Sequence, residues 1–376
     1  MAERSAVPSG PPTATSWEFV TTFAIVLAAV AVLLIADLAL ARIERRESAA
    51  EAEGLYREGR ALLGRGEARE AESRFANAYS MERSNAAFQL ALADAMLAGN
   101  RVDEAKNVLE NLLARSETDG AANLAMARVL VRARHDDEAR SYYHRAIYGK
   151  WPVDPEGRRL QARLELIDLL ARERDQSALL AELLPLQDVA ARSAPLERRL
   201  AHLFVAAGSP SRAIAIFRAM LERSGADADT YAGLGEAALS LGNFRTARAD
   251  LVEAHRLDPS RANVAPMLAI ADSALALDPE QRGLEARERL DRARGLLART
   301  IAVIERCART PRADSVRRAA AAQLLGRPSG GGSPLRAAEM AITTASDLWS
   351  SRPSGCGIDP SPGGEALALI QARLGQ

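Results

Sequence analysis

The sequence predicts an all-α protein in which most of the chain folds as stacked helix pairs behind one apolar N-terminal helix. Three observations support this prediction. Ala, Leu, Arg and Glu dominate the composition and aromatic residues make up only 4% of the chain, a mixture typical of helical proteins. A small residue, followed at fixed distances by apolar residues, returns every 34 positions over much of the chain. Near the start, a long uncharged run is suited to a membrane helix.

The first element is an apolar segment behind a short polar tail. Residues 1–16 are rich in Pro, Ser and Thr, and we expect them to form a flexible tail. The next segment, 17–41, holds eighteen uncharged residues between Glu18 and Asp37. A helix of this length spans the ~30 Å hydrocarbon core. Its apolar core is longer and its basic start weaker than in a cleaved signal peptide. We therefore predict a transmembrane anchor that contacts the lipid bilayer through 17–41.

Asp37 lies in the last turn of the predicted anchor. It either reaches the membrane interface or contacts a partner inside the membrane, and its position near the end of the span favours the interface.

The basic residues around the anchor predict its orientation. One arginine precedes the span and three follow it closely: Arg4, then Arg42, Arg45 and Arg46. Positive charge collects on the cytoplasmic side, so we expect a single-pass protein of a bacterial inner membrane with its main domain in the cytoplasm. Two glutamates dilute the basic cluster, and large periplasmic domains on single anchors are common. A periplasmic domain therefore remains the alternative.

The repeat is marked by a small residue in the second helix of each unit. These marks are Ala71, Ala105, Ala139, Ala213 and Ala247, with spacings of 34, 34, 74 and 34 residues. The gap of 74 leaves room for one degenerate unit at about 156–193, with Ala178 as a weak mark. A second small residue precedes each mark by twelve positions: Gly59, Ala93, Ala127, Ala201 and Gly235. A period of 34 is the length of one helix–turn–helix unit.

Turn residues separate the two helices of each unit. They are Gly66, Asn100, His135, Gly208 and Gly242. The copy at 228–261 shows the pattern most clearly, with Tyr231, Leu234, Gly235, Gly242, Ala247, Leu251, Ala254 and Pro259. This pattern resembles the tetratricopeptide repeat (TPR). The resemblance covers about 50–262 as about six repeats, and it implies a TPR-type α-solenoid, a right-handed superhelix of helix pairs.

The C-terminal part is less regular. We predict a possible seventh first helix at 263–277 and a long amphipathic helix at 280–308, within a capping region at 263–325. A Gly- and Ser-rich linker and short helices follow at 326–376. The two cysteines, Cys307 and Cys356, form either one disulfide or two free thiols, and their number does not decide between these states.

The sequence contains none of the usual catalytic motifs. We find no phosphate-binding Gly-x-x-x-x-Gly-Lys, no dinucleotide-binding Gly-x-Gly-x-x-Gly after a strand and no His-Glu-x-x-His. The four histidines are scattered along the chain. The formal net charge is zero, so no overall field attracts nucleic acid. We expect a protein that is not an enzyme, has no cofactor or metal, and has no nucleic-acid partner.

The TPR resemblance implies a binding groove lined by the first helices, where a peptide or a partner protein docks. The positions implied to face this groove are Tyr56, Arg60, Leu90, Asp94, Leu97, Arg128, Val131, Arg132, Arg198, His202 and Glu236. Four arginines and one main opposing charge, Asp94, suit an acidic or carboxylate-bearing partner segment, because arginine binds carboxylate bidentately. The alternative is that each arginine forms a salt bridge with a neighbouring repeat.

The predicted function is that of a membrane-anchored TPR scaffold for protein–protein interaction, which assembles or stabilises a complex of membrane proteins. The alternative is a structural accessory subunit of a large respiratory or photosynthetic membrane complex. In both cases the partners are other proteins of the complex.

Overall fold

The computed structural model describes residues 16–190, 193–307, 319, 321, 322, 325, 333–352 and 356–375, with the backbone alone for residues 16–20 and Cys307. All regular elements in these ranges are helices, and one isolated β-bridge joins Asp119 and Lys150. The predicted all-α class with one apolar N-terminal helix is therefore confirmed. Most of the predicted tail, and the linker before Ser333, lie outside the described residues.

The chain divides into two compact units at Leu166 and Ile167. The first, unit 1, contains six complete helices and the beginning of a seventh. They are α1 (Ser16–Gly64), α2 (Ala68–Met81), α3 (Ala86–Ala98), α4 (Val102–Leu113), α5 (Gly120–Arg132), α6 (Asp136–Tyr148) and α7 (Pro155–Glu173). Consecutive helices pack as the pairs α1–α2, α3–α4 and α5–α6.

Helix α1 is a single helix of 49 residues. No part of its apolar stretch is buried from Thr21 onward. The last turns of the helix pack into the core, where Ala52 is completely buried beside Phe88. No proline interrupts the helix, so nothing in the sequence forces a kink between these two parts. The predicted anchor and the first helix of the first repeat are thus one continuous element.

The turn within each pair uses one residue in the left-handed region of φ. In unit 1 these residues are Gly66 (φ 82°), Asn100 (62°) and Arg134 (65°), exactly 34 residues apart. Glycine adopts this conformation without steric cost and asparagine tolerates it. His135 lies in the third turn as predicted, directly before α6 with φ −96°, and the left-handed residue of that turn is its neighbour Arg134. The left-handed conformation therefore occurs at a fixed distance from the end of the first helix, even where the residue is an arginine, which has no preference for this conformation.

Unit 2 begins with the rest of α7 and contains the remaining helices. They are α8 (Gln176–Leu183), a 3₁₀ turn (Leu184–Leu186), α9 (Gln187–Ala190), α10 (Ala194–Ala206), α11 (Pro210–Ser224), α12 (Ala228–Ser240), α13 (Phe244–Leu257), α14 (Val264–Leu277), α15 (Ala286–Cys307), α16 (Pro334–Ser350) and α17 (Pro362–Leu374). The pairs α10–α11 and α12–α13 pack like those of unit 1.

The degenerate fourth pair, α7 with α8, turns at Arg174, where φ is 59°. This turn lies 40 residues after Arg134. The insertion of six residues lengthens α7, which has 19 residues where α5 has 13. At the distance from the turn at which the other pairs have their mark, this pair has Leu179, which is 1% exposed. The predicted mark, Ala178, is only half-buried. The predicted mark was therefore one residue off, because a small residue was assumed where this pair buries a leucine.

The regular pairs need small residues where their two helices cross. In the sixth pair a Cβ atom added to Gly235 would lie 2.5 Å from Cγ of Leu251, closer than two carbon atoms can approach. The mark residues Ala213 and Ala247 are completely buried. These close crossings explain why the small residues recur with the period of the repeat.

The last helix pair is closed by the end of the chain. Helix α14 continues the 34-residue phase as a seventh first helix, and α17 packs against it. The intervening α15, predicted at 280–308, begins at Ala286 and packs mainly against α16. Buried side chains of these helices, including Leu296, Trp349 and Ile370, share one core with α12 and α13.

An arginine of α17 fastens the C-terminal helix to the sixth pair. Arg373 donates to both carboxylate oxygens of Asp278, Nη1 to Oδ2 at 2.9 Å and Nη2 to Oδ1 at 2.5 Å. The same guanidinium donates to the carbonyl oxygen of Gly242 at 3.3 Å and lies 5.3 Å from the ring centroid of Phe244. We call Arg373 and Asp278 the C-terminal clasp.

Candidate protein-binding face

In the first six helix pairs, one position of the first helix carries a polar residue, six residues before the turn. In unit 1 these residues are Arg60, Asp94 and Arg128, and in unit 2 they are Asp168, His202 and Glu236. We call this series the charge ladder, because an arginine or histidine alternates with an aspartate or glutamate along it. Sequence analysis identified every member except Asp168, which the six-residue insertion moves out of the 34-residue register.

Arg60 and Tyr56 form a local pair on α1. The Arg60 guanidinium donates to the Tyr56 hydroxyl oxygen at 3.3 Å, and this hydrogen bond raises the pKa of Arg60. The Tyr56 ring lies 5.7 Å from the ring of Phe75 and 5.2 Å from that of Phe88. Tyr56 is therefore half-buried, with its ring packed against the core.

Arg128 is paired with the next first helix. Its Nε donates to Oε2 of Glu165 at 2.9 Å and its Nη2 to Oε1 at 2.6 Å. Gln161 also donates to Oε1 of Glu165, at 3.2 Å. The hydrogen bonds to Glu165 are the largest cause of the raised pKa of Arg128. This is the bidentate geometry in which arginine binds carboxylate most strongly.

Asp94 occupies the middle of the ladder in unit 1. Its carboxylate is half-buried, and this desolvation raises its pKa, although the positive charges of Arg128 and Arg60 act in the opposite direction. Within the described part of the chain, no donor forms a hydrogen bond or ion pair with this carboxylate. Leu90 and Leu97, each about one helical turn away, are also half-buried on α3.

Arg132 pairs with a turn. It donates through Nε and Nη2 to Oδ1 of Asn100, at 3.3 and 3.2 Å, and so connects the third first helix with the second turn. Val131 beside it is half-buried.

In unit 2 the predicted groove residues are connected to one another or to the next pair. Arg198 contacts Asp227 and Asp229, each at 3.4 Å. Nδ1 of His202 lies 2.8 Å from Oε2 of Glu236. The fourth ladder member, Asp168, accepts a hydrogen bond from Arg199.

All four predicted groove arginines thus have an internal partner. Arg128 and Arg198 form salt bridges with the following helix pair, Arg132 bonds to a turn and Arg60 bonds to its own helix. The contacts of Arg128 and Arg198 correspond to the alternative in which the arginines form salt bridges with neighbouring repeats, whereas those of Arg60 and Arg132 do not. The assignment of the eleven positions to one binding groove stays a prediction. Asp37 is exposed on α1, and its interfacial position also stays a prediction.

Within the described ranges, no group of three or more His, Cys, Asp or Glu side chains is arranged to hold a metal ion. A cavity of about 320 Å³ beside the C-terminal clasp is open to solvent and is lined by Phe244, Asp278, Arg282 and Arg373 among others. Of its lining residues, Asp278 and Arg373 are engaged in the clasp.

Several solved structures of low sequence identity are similar to the chain. PilF of Pseudomonas aeruginosa is 15% identical, with 59% of this chain and 97% of that chain covered and a TM-score of 0.42. PilW, a type IV pilus biogenesis factor, is 17% identical, with 58% and 98% covered and a TM-score of 0.42. The TPR2AB domain of yeast Sti1 in complex with pHSP90 is 16% identical, with 79% and 99% covered and a TM-score of 0.30.

No curated protein matches the chain significantly. The family model described as tetratricopeptide repeat matches residues 62–116, which run from the end of α1 through α4. This stretch is therefore similar to the TPR family in sequence, at the place where the structure has two regular helix pairs.

Proposed function

We propose that the protein is a membrane-anchored scaffold that holds a partner protein on the first helices of its repeats, close to the bilayer. The observation that carries this proposal is the continuity of α1. One helix contains both an apolar stretch that none of the described residues covers and the first helix of the first pair. Exposed apolar residues on this scale are stable only in a membrane or against a partner.

The match to the TPR family supports a binding role, because TPR proteins mediate protein–protein interaction. The faces of α3 and α5 offer half-buried apolar residues beside polar ones, at Leu90, Leu97 and Val131. Such a mixed surface suits an extended segment of a partner rather than a small reactive substrate. The partner that we propose is a protein of the same membrane complex, and the role that we propose is assembly or stabilisation, without catalysis.

The orientation of the domain is the second part of the proposal. Cys356 is disulfide-bonded, and disulfides persist in oxidising compartments rather than in a reducing cytosol. The three arginines that follow the apolar segment favoured the cytoplasm instead. We give the disulfide more weight, because Glu44 and Glu47 weaken the charge asymmetry, and we propose the periplasmic side of a bacterial inner membrane.

The anchor is tested by deleting residues 17–41. The full chain should stay in the membrane pellet under alkaline carbonate, and the shortened chain should be soluble and melt cooperatively. Its core should remain complete, because the buried contacts of α1 begin at Ala52. Release of the full chain by carbonate would contradict the membrane anchor.

Orientation is tested separately by adding protease to intact spheroplasts. Digestion of the domain in intact spheroplasts supports the periplasmic placement. Protection of the domain until the membrane is broken would place it in the cytoplasm and leave the anchor itself unaffected.

A further inference from the structure

Asp94 differs from the other carboxylates of the charge ladder. Asp168 accepts a hydrogen bond from Arg199, and Glu236 lies within hydrogen-bonding distance of His202. Among the residues that the structure describes, none donates to the Asp94 carboxylate. A half-buried carboxylate without a donor has lost part of its hydration and gained no hydrogen bond in return.

The neighbouring arginines do not supply the missing hydrogen bonds. Arg128 directs two donors at Glu165, and Arg60 directs one at Tyr56. Their positive charges attract the Asp94 carboxylate from the neighbouring helices, without a hydrogen bond to it. Desolvation exceeds this attraction, so that burial raises the pKa of Asp94 overall.

The surroundings of Asp94 also provide an apolar surface. Leu90 and Leu97 lie four residues before and three residues after Asp94 on α3, which places all three on one side of the helix. Both leucines are half-buried. A long side chain could therefore lay its methylene stem on these leucines and bring a charged end to the carboxylate.

We propose that Asp94 binds a lysine or arginine side chain of a partner segment that lies along α1, α3 and α5 of unit 1. This inference rests on the proposed scaffold function and names the chemistry of the partner. The partner segment is thus expected to be basic, whereas the sequence predicted an acidic or carboxylate-bearing one. An acidic segment would meet an unpaired carboxylate and arginines with internal partners, whereas a basic one would supply a charge-assisted hydrogen bond.

The first experiment identifies the segment that contacts this face. A photoreactive benzoylphenylalanine replaces Leu97 in the full chain, which is irradiated in its native membrane, and the crosslinked partner segment is read by mass spectrometry. The same residue in place of Asn111, which is exposed on α4, is the control site. We expect a crosslink from position 97 that is absent from position 111, to a segment that contains lysine or arginine.

The second experiment measures the charge dependence with that segment as a synthetic peptide and the full chain in detergent. Replacing its lysine by norleucine, or its arginine by citrulline, should weaken binding about tenfold or more, as expected for a charge-assisted hydrogen bond. The variant Asp94→Asn should bind the original peptide equally weakly and should no longer distinguish the two peptides. Asp137→Asn, at an exposed site on α6, should bind as the unchanged protein does.

The outcomes separate the two proposals. A crosslink from position 97 to a segment without lysine or arginine, or unchanged affinity of Asp94→Asn, overturns the inference and leaves the scaffold function in place. The absence of any protein crosslink from position 97 contradicts the binding face itself. Misfolding is excluded as a cause if Asp94→Asn melts no earlier than the unchanged protein.

Discussion

Two aspartates, one in each unit, show opposite uses of a carboxylate that the fold shields from water. Asp278 in unit 2 is 3% exposed, and Arg373 satisfies both of its oxygens. Asp94 in unit 1 is half-buried and has no donor among the described residues. The first is enclosed by the end of the chain, whereas the second lies on a helix face that remains open.

The difference teaches that burial of charge alone does not distinguish a stabilising contact from a binding site. A paired carboxylate contributes to stability, and its loss leaves an uncompensated charge. An unpaired one lowers the stability of the free protein and gains its partner only on binding. The two sites should therefore respond to mutation with opposite signs.

The largest effect should come from the C-terminal clasp. Arg373→Ala leaves Asp278 buried without a cation and should lower the free energy of unfolding by about 3 kcal/mol, measured by urea titration. Arg306→Ala is the control, because its salt bridge with Asp359 is exposed, and its effect on the free energy of unfolding should be much smaller. Equal effects of the two variants would mean that α17 is not fastened by this pair.

A smaller loss should follow from removal of the bidentate pair in unit 1. Arg128→Ala should lower the free energy of unfolding by about 2 kcal/mol, since Glu165 then loses two charge-assisted hydrogen bonds. The double variant Arg128→Ala/Glu165→Ala should lose less than the sum of the single variants. Additive losses would show that the two side chains do not interact in solution.

The third effect concerns a solvated pair of the ladder in unit 2. Glu236→Gln should cost less than about 1 kcal/mol, because the side chains of His202 and Glu236 are 41% and 42% exposed. Even this loss should shrink in 1 M salt, which screens exposed charges. A loss as large as that of Arg128→Ala would contradict the view that this pair is peripheral.

The smallest effect, and the one of opposite sign, should come from Asp94→Asn. Because the folded-state pKa of Asp94 is raised, its protonated form favours folding below the ordinary pKa of aspartate, and that stability is lost as the pH rises through the folded-state pKa. The asparagine variant lacks this loss. It should therefore gain stability relative to the unchanged protein between about pH 4 and pH 7, measured by urea unfolding at both values. A relative loss with rising pH would mean that a partner within the chain stabilises the carboxylate.

Much of the fold could be predicted because each crossing of two paired helices requires a small residue, so that small residues recur at the length of the repeat. Ala71, Ala105 and Ala139 were recognised from spacing alone, and all three are completely buried. Two positions carry unusual residue types for the same reason. Arg134 and Leu179 occupy the turn and the mark because of their distance from the helix ends, although neither has the residue type usual there.

The polar contacts were not predictable from the period. Arg128 meets Glu165 at a separation of 37 residues, a distance that departs from the 34-residue period because α7 is longer than the other first helices. Arg373 reaches Asp278 across 95 residues, because α17 returns to close the last pair. Local patterns describe which residues share a helix face, but such distant partners depend on how the helices pack in three dimensions.

The unbroken course of α1 has a mechanical consequence. From Arg42 to Gly64 the helix extends about 35 Å beyond the proposed anchor, at ~1.5 Å per residue. A stiff rod of this kind works as a lever. A tilt of about 20°, common for helices in bilayers, would displace its far end sideways by roughly 12 Å. Membrane thickness or a neighbouring helix could thereby steer the repeats toward a partner without any change inside them.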